Sequence, residues 1–216
     1  MAAIITPPEQ VTQKVILDNI TWETYQRLLA ERGENSKPRY AYDRGRLEIM
    51  VSSYGHENLK HIIATLVEVI AEAVGIEDIE GAASTTFDRE DLSQGFEPDA
   101  SFYFRNASRI RGQKQIDLAT DPAPELVIEV DITSPSLNKF PIFAGLGIRE
   151  VWRYHQQQLT VFTLAEEAYR EQSASDIFPG LTGSALTELI ADSQRMKRTE
   201  WLRKVRTESQ SLSRKP

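Results

Sequence analysis

The chain has 216 residues, 40% of them hydrophobic and 26% charged, with no cysteine and a formal net charge of −7. This length and composition are typical of one globular domain, or at most two. The lack of cysteine excludes disulfides, thiolate zinc sites and cysteine nucleophiles, and the negative charge argues against a surface that broadly neutralises phosphates.

The first part of the chain predicts a leader, a short helix, a hairpin and a long helix. Residues 1–15 show no periodicity and are predicted to form a flexible leader. Thr21 is a suitable N-cap for a short amphipathic helix. The turn signal Asp-Arg-Gly at 43–45 lies between alternating segments, which predicts a hairpin. From 56 to 74 apolar residues recur every three and four positions, and Gly75 is expected to end this helix.

The second part predicts several strands and two more helices. Strands are predicted at 79–87, 100–104, 126–132, 150–154, 159–164 and 169–172. The near-continuous apolar run LVIEV at 126–130 is typical of a central strand that is covered on both faces. A short helix is predicted at 138–146, where Pro141 is tolerated only in the first turn. Ser184 is predicted to begin one long final helix that continues to about Thr207.

This order of elements predicts an α+β fold with a mixed β-sheet flanked by helices, rather than a regular βαβ array. No linker-like stretch divides the middle, so one main domain is expected at 16–183, between the leader and a C-terminal helix with a basic tail at 184–216. The N-terminus lacks a secretory signal, and no run approaches the roughly 20 apolar residues needed to cross a bilayer, so we expect a cytoplasmic protein.

Charge is distributed unevenly along the chain. Residues 195–216 contain eight Lys or Arg and two Glu, a balance of +6, so the rest of the chain carries −13. A basic C-terminal helix could contact a nucleic acid, but short charge runs are more often solvated helix faces, which is the interpretation we prefer.

Acidic side chains in the predicted sheet indicate a metal site. Glu129 lies in the middle of the apolar strand, where an unpaired charge is costly, and Asp131 at i+2 points to the same face. Pro98 favours an extended Glu97 and so holds Asp99 at the start of another strand. Carboxylates from adjacent strand ends, completed by waters and a backbone carbonyl, form the oxygen-rich shell that Mg²⁺ prefers.

Lys139 follows the strand of Glu129 on the next predicted helix. If Asn138 caps that helix, Lys139 lies in its first turn, where the helix N-terminus and an ammonium favour an anion such as a phosphodiester. The dipole and a metal would also favour a neutral amine that orients or deprotonates water. With a metal at Asp99 and Glu129, these parts suit phosphodiester hydrolysis. The alternative is a salt bridge of the acids with Lys139 or Arg153, and spacing alone favours neither interpretation.

Several segments follow one another in an order and spacing that form a recognisable pattern. They are GRLEIM at 45–50, His56, EPD at 97–99, LVIEV at 126–130, SPS at 134–136 and KFPIFAGLGIREVW at 139–152. Together they resemble the Uma2 family, endonucleases of the PD-(D/E)xK restriction-endonuclease-like superfamily that are abundant in cyanobacteria. The resemblance extends from about residue 40 to residue 181.

The resemblance implies a restriction endonuclease-like fold in which Asp99, Glu129 and the backbone carbonyl of Val130 bind Mg²⁺ or Mn²⁺. It also implies that Lys139 is the catalytic lysine. In the wider superfamily the lysine stands two residues after the acid, where this chain has Asp131, but the Uma2 pattern displaces the lysine onto the next helix. Asp131 is then either a further ligand or a neighbour that tunes Glu129.

Two further residues are weaker candidates for a supporting role. The resemblance places Glu48 near the metal, while the alternative is an exposed strand residue. His56 could contact phosphate or orient a carboxylate, although a histidine at a helix start is more often a capping or surface residue. Trp152 and Tyr154 alternate within a strand, which favours core packing over base stacking.

Three functions are compatible with these patterns. The first is a Mg²⁺- or Mn²⁺-dependent endonuclease that acts on DNA, expected as a homodimer because cutting two strands needs two sites. The second is a catalytically silent nucleic-acid-binding or interaction module of the same fold, which the acidic pI and the displaced lysine favour. The third is a glycosidase with two acids, which the lysine and the apolar strand around Glu129 disfavour.

Overall fold

Two β-sheets share a hydrophobic core in the protein, whose computed structural model describes residues 11–33, 37–132 and 137–212. The helices of the described residues are α1 (Trp22–Arg32), α2 (Tyr54–Val74), α3 (Ala107–Ile110), α4 (Phe140–Gly145), α5 (Gly183–Ser193) and α6 (Arg198–Leu212). The strands are β1 (Gln13–Leu17), β2 (Arg39–Asp43), β3 (Arg46–Val51), β4 (Glu80–Gly81), β5 (Phe87–Arg89), β6 (Gln94–Phe96), β7 (Ala100–Tyr103), β8 (Leu126–Asp131), β9 (Glu150–His155), β10 (Gln158–Ala165) and β11 (Ala168–Gln172).

The strands form a five-stranded sheet with the order β1-β3-β2-β6-β5 and a six-stranded sheet with the order β11-β10-β9-β8-β7-β4. Strands β8 and β9 are parallel, and the other paired strands are antiparallel. The predicted α+β class with a mixed sheet and flanking helices is therefore confirmed, with the strands divided between two sheets instead of one.

Strand β8 is central to the six-stranded sheet, as its apolar run predicts. All six of its residues are buried. Leu126, Ile128 and Val130 pack in the core formed with α2, α5 and α6, whereas Val127 packs in a second core that includes residues of α4 and the five-stranded sheet. Because side chains alternate along a strand, Glu129 and Asp131 lie on the same face as Val127, toward α4.

The first helices and the hairpin follow their sequence signals. Thr21 caps α1 by accepting a hydrogen bond from the Thr24 N–H (3.2 Å). Helix α2 begins two residues before the predicted start because Ser53 is its N-cap, and Gly75 ends it in the left-handed conformation (φ 81°). Strands β2 and β3 pair across the predicted turn, where Gly45 has a φ of 99°.

Two predictions about the first strands are wrong. Residues 13–15, expected in the leader, belong to β1, which pairs with β3; residues 1–10 lie outside the described residues. The strand predicted at 79–87 is instead two short strands, β4 and β5, which join different sheets. After β7 the chain forms the short helix α3.

The predicted final helix is two helices that fold back on each other. The indole N–H of Trp201 in α6 donates to the carbonyl of Leu189 in α5 (2.7 Å). Trp201 and Val205 are fully buried in the same core as α2. One straight helix could not bury these side chains while α5 also packs on β10, so the chain turns between Ser193 and Arg198. No described helix has the length and apolar character that crossing a membrane requires.

The buried carboxylate of Glu150 connects β9 to the segment before α5. It accepts hydrogen bonds from the indole N–H of Trp152 (2.6 Å), the hydroxyl of Ser175 (2.6 Å) and the N–H of Asp176 (2.9 Å). Two residues of the pattern at 139–152, Glu150 and Trp152, thus stabilise the fold and lie apart from Glu129.

We expect Glu150→Ala to lower the free energy of unfolding by about 3 kcal/mol or more, because it leaves these buried donors without an acceptor. Urea denaturation measures the loss. The control Glu167→Ala changes an exposed residue of the β10–β11 turn and should stay within about 0.5 kcal/mol of wild type. Equal stability of both variants would contradict the role given to Glu150.

Candidate functional site

Glu129 and Lys139 meet in a cleft of about 360 Å³ beside the end of β8. The polar side chains that line it are Lys14, Glu129, Asp131, Asn138, Lys139 and Arg153. The face of β8 that carries both acids therefore opens into this cleft, as the i, i+2 spacing predicts.

Lys139 directly contacts two acids. Its Nζ is 2.8 Å from Oε2 of Glu129 and 3.4 Å from Oε1 of Glu48. Burial of the ammonium tends to lower the pKa of Lys139, but the carboxylates of Glu129, Glu48 and Asp99 outweigh it and raise that pKa well above its usual range. With these carboxylates around it the side chain is an ammonium, and the neutral amine expected beside a bound metal stays a prediction.

Lys139 lies at the N-cap position of α4, one residue before its predicted place in the first turn. The side-chain oxygen of Asn138 accepts from the N–H of Phe140 (3.2 Å), and Pro141 lies in the first turn as predicted. The N–H of Leu137 donates to Oε2 of Glu48 (2.7 Å), which ties the start of this segment to β3.

Glu48 is buried and belongs to this cluster. Its side chain lies on the face of β3 opposite Leu47, which packs in the core with α1. One carboxylate oxygen accepts from Leu137 and the other pairs with Lys139. Glu48 is thus a buried acid that positions the lysine, and the alternative of an exposed strand residue is wrong.

Asp99 is held as a buried carboxylate at the start of β7. Its Oδ2 accepts from the N–H of Val130 (2.7 Å), and the guanidinium of Arg39 lies against its Oδ1 as an ion pair. Burial tends to raise the pKa of Asp99, but the positive charge of Arg39 and the hydrogen bond from the N–H of Val130 oppose it, and that pKa is lowered. Asp99 is therefore ionised.

His56 lies inside the site, fully buried, contrary to the expectation of a surface residue. Its Nε2 is 2.8 Å from the carbonyl oxygen of Val130 and 3.5 Å from Oδ1 of Asp99. Its Nδ1 is 3.4 Å from the guanidinium of Arg39, which can only donate, so Nε2 carries the proton and donates to Val130. Burial lowers the pKa of His56, in keeping with a neutral ring.

Glu129 has one oxygen that no protein group satisfies. Its Oε1 is buried and has no hydrogen-bond partner within the described residues. Burial raises the pKa of Glu129, Lys139 opposes this, and the charge of Asp99 raises it further. The two acids therefore interact electrostatically, and a cation near both would stabilise them.

The donors in this region fit a Mg²⁺ ion that keeps part of its water shell. The unpartnered oxygen of Glu129, the carboxylate of Asp99 and the carbonyl of Val130 are all oxygen donors, the kind that Mg²⁺ prefers. Among residues 11–33, 37–132 and 137–212, no three His, Asp or Glu side chains are grouped to hold a metal by themselves. A metal here would therefore need the backbone carbonyl and waters, which is common for Mg²⁺.

Asp131 forms ion pairs with two cations that line the cleft. Lys14 from β1 lies 3.1 Å from its Oδ1, and Arg153 from β9 lies 2.7 Å from its Oδ2. Burial tends to raise the pKa of Asp131, but these partners outweigh it and lower that pKa. In this arrangement Asp131 is an ion-pair partner of Lys14 and Arg153, and its role as a further metal ligand stays a prediction.

The sequence reasoning missed Arg39 and Lys14. Arg39 begins β2 and reaches Asp99 only because the two sheets are adjacent, and Lys14 lies in the segment expected to be a leader. Trp152 and Tyr154 are buried in the core, as predicted. The motif SPS at 134–136 lies outside the described residues.

Two basic residues of α6 form ion pairs with neighbouring helices, and a third packs on an aromatic ring. Lys204 is 2.6 Å from Asp192, and Arg206 is 3.2 Å from Glu72. The guanidinium of Arg198 lies over the ring of Trp201, 4.8 Å from its centroid. These contacts favour the interpretation as a solvated helix face.

Comparisons with known proteins give one family match and a similar solved structure. The family model of Uma2, described as "Putative restriction endonuclease", matches residues 22–193. No curated protein matches the chain. A solved structure titled as a "putative nuclease belonging to DUF820", from Anabaena variabilis ATCC 29413, is similar with a TM-score of 0.53 and 17% sequence identity, over 79% of this chain and 99% of that chain. At this identity the likeness shows a shared fold.

Proposed function

Because the chain belongs to the Uma2 family, we propose that it is a metal-dependent endonuclease that hydrolyses phosphodiester bonds of DNA. One observation carries the proposal: the ammonium of Lys139 contacts one oxygen of Glu129, while the other oxygen is buried and has no hydrogen-bond partner among the residues that the structure describes. A lysine and an unsatisfied carboxylate at one cleft suit a reaction that needs both a cation and a hydrogen-bond donor at a phosphate.

Asp99, Glu129 and the carbonyl of Val130 would hold the metal. When bound, Mg²⁺ or Mn²⁺ lowers the pKa of a water molecule and stabilises negative charge on the phosphate oxygens. Arg39 keeps Asp99 ionised and in place for this role, since its guanidinium pairs with Asp99 in the buried part of the site. The neutral ring of His56 packs beside the same carboxylate, with its Nε2 3.5 Å from Oδ1.

Lys139 acts as a charged donor instead of a general base. Its pKa lies above the usual range, so proton abstraction by this side chain is disfavoured. The ammonium can donate one hydrogen bond to Glu129 and others to the attacking water or to a phosphate oxygen, where negative charge develops. Glu48 limits the movement of Lys139 from the opposite side.

The test is incubation of the purified protein with supercoiled plasmid and Mg²⁺ or Mn²⁺. We expect nicked and linear products, with no products in EDTA. Glu129→Gln should lower the rate about 1000-fold, because it removes a charged metal ligand and weakens the contact of Lys139. The exposed control Glu166→Gln should match wild type.

Cleavage that persists in EDTA or in Glu129→Gln would show that this site is not responsible.

We further propose a homodimer, because cutting the two strands of DNA requires two sites. Sedimentation analysis of the full chain measures the oligomeric state.

A catalytically silent module of the same fold is the second candidate. The ion pair of Lys139 with Glu129 and Glu48 favours it, because the pair partly satisfies the acids without a metal. A silent module would bind DNA, and this binding would weaken as the salt concentration rises. It would cut no plasmid with any metal.

A further inference from the structure

Two cations converge on Asp131 at the edge of the cleft. Lys14 and Arg153 reach its two oxygens from strands of different sheets, at 3.1 and 2.7 Å. The side chain of Lys14 is 5% exposed, whereas that of Arg153 is 37% exposed. The backbone carbonyl of Asp131 also lies 2.8 Å from Nδ1 of His155.

Arg153 lies beside Glu129, a residue of the proposed reaction. In the parallel pairing of β8 and β9, Arg153 is the direct neighbour of Glu129, so both side chains lie on the same face of the sheet. Lys14 and Arg153 line the same cleft as Glu129 and Lys139.

The charges at Asp131 do not balance, which separates this group from a simple ion pair. One carboxylate faces two cations, which leaves one positive charge in excess around Asp131. Within the described part of the chain, the side chain of Arg153 makes no hydrogen bond other than that to Asp131. Its remaining guanidinium N–H groups are therefore available to an anion in the cleft, and a guanidinium binds phosphate oxygens in pairs.

We propose that Lys14 and Arg153 form a phosphate-binding subsite that holds a backbone phosphate of the nucleic acid next to the one that is cut. Asp131 is the internal counter-ion that keeps both cations at the cleft. The proposal rests on the proposed nuclease function. The subsite would give β1, an edge strand of the five-stranded sheet, a part in substrate binding.

The test compares Arg153→Gln and Lys14→Gln with wild type. Binding of a labelled duplex DNA is measured by fluorescence anisotropy in EDTA over a range of salt concentrations, and KM and kcat are measured with Mg²⁺. We expect each variant to weaken binding about 5- to 10-fold and to reduce the salt slope by about 1, as the loss of one phosphate contact requires. KM should rise while kcat changes little.

Two further variants act as controls. Arg111→Gln removes an exposed cation that pairs with Asp78 and Glu80 away from the cleft, and it should leave binding and KM unchanged. Arg153→Lys keeps a cation beside Asp131 and so preserves the fold, but it loses the paired donors and should weaken binding by an intermediate amount.

The outcomes distinguish this proposal from the function on which it rests. If wild type cleaves DNA but the Gln variants show only reduced thermal stability, with KM and salt slope unchanged, the cations merely connect the two sheets and the subsite is refuted. If wild type neither binds nor cleaves duplex DNA or RNA, the nuclease function and the subsite both fail.

Discussion

Lys139→Ala is expected to lower the single-turnover cleavage rate about 1000-fold or more, at least as much as Glu129→Gln. The substitution removes the ammonium that contacts Glu129 at 2.8 Å and the donor available to water or phosphate. The measurement is rapid mixing of enzyme in excess over DNA with saturating Mg²⁺. The exposed Lys114→Ala is the matched control and should cleave like wild type.

The same substitution also affects folding. Without Lys139, Glu129 and Glu48 lose a shared cation in a buried setting, and we expect a loss of about 3 kcal/mol in the free energy of unfolding. Lys139→Gln retains a hydrogen-bond donor for Glu129 and should fold more stably, yet it should remain as inactive as the alanine variant. Wild-type rates in a folded Lys139→Gln protein would exclude a catalytic role for this lysine.

Asp99→Asn is expected to raise the Mg²⁺ concentration needed for half-maximal cleavage by about 100-fold. An amide oxygen can still accept from the N–H of Val130, but it lacks the charge that binds a divalent ion. The measurement is the cleavage rate as a function of Mg²⁺ concentration.

The matched control for Asp99→Asn is Glu57→Gln. Glu57 is the other carboxylate near Arg39, at 3.5 Å, and it lies outside the proposed metal donors. Both variants take a carboxylate from Arg39, but only Asp99→Asn should change the Mg²⁺ requirement. The same Mg²⁺ dependence in Asp99→Asn as in wild type would show that Asp99 holds no metal.

Local signals in the sequence were enough to predict the elements that carry the site. The apolar run of β8 predicts a central strand, and its alternation places Glu129 and Asp131 on one face. Capping by Thr21 and the glycine after α2 predict the corresponding helix ends. Each of these features depends on residues close together in the chain.

The predictions that failed depend on contacts between distant segments. The break before α6 follows from burial of Trp201 beneath α2, which no local pattern reports. The pairing of β1 with β3 likewise could not be read from a segment without clear periodicity.

The site residues show the same difference between local signals and contacts of distant segments. The spacing predicts the acids and Lys139, but not the partners that set their protonation. Arg39 reaches Asp99 from the other sheet, and Glu48 reaches Lys139 from β3. The number of carboxylates around Lys139 makes it an ammonium, and that number becomes known only when the strands are placed in space.

Calorimetric titration of Mn²⁺ into the purified full chain tests the metal site most directly. We predict saturable binding of one ion per chain by wild type, and binding weakened about 100-fold or more in Glu129→Gln. Absence of binding by wild type, or equal binding by Glu129→Gln, would contradict the assignment of these buried oxygens to a metal.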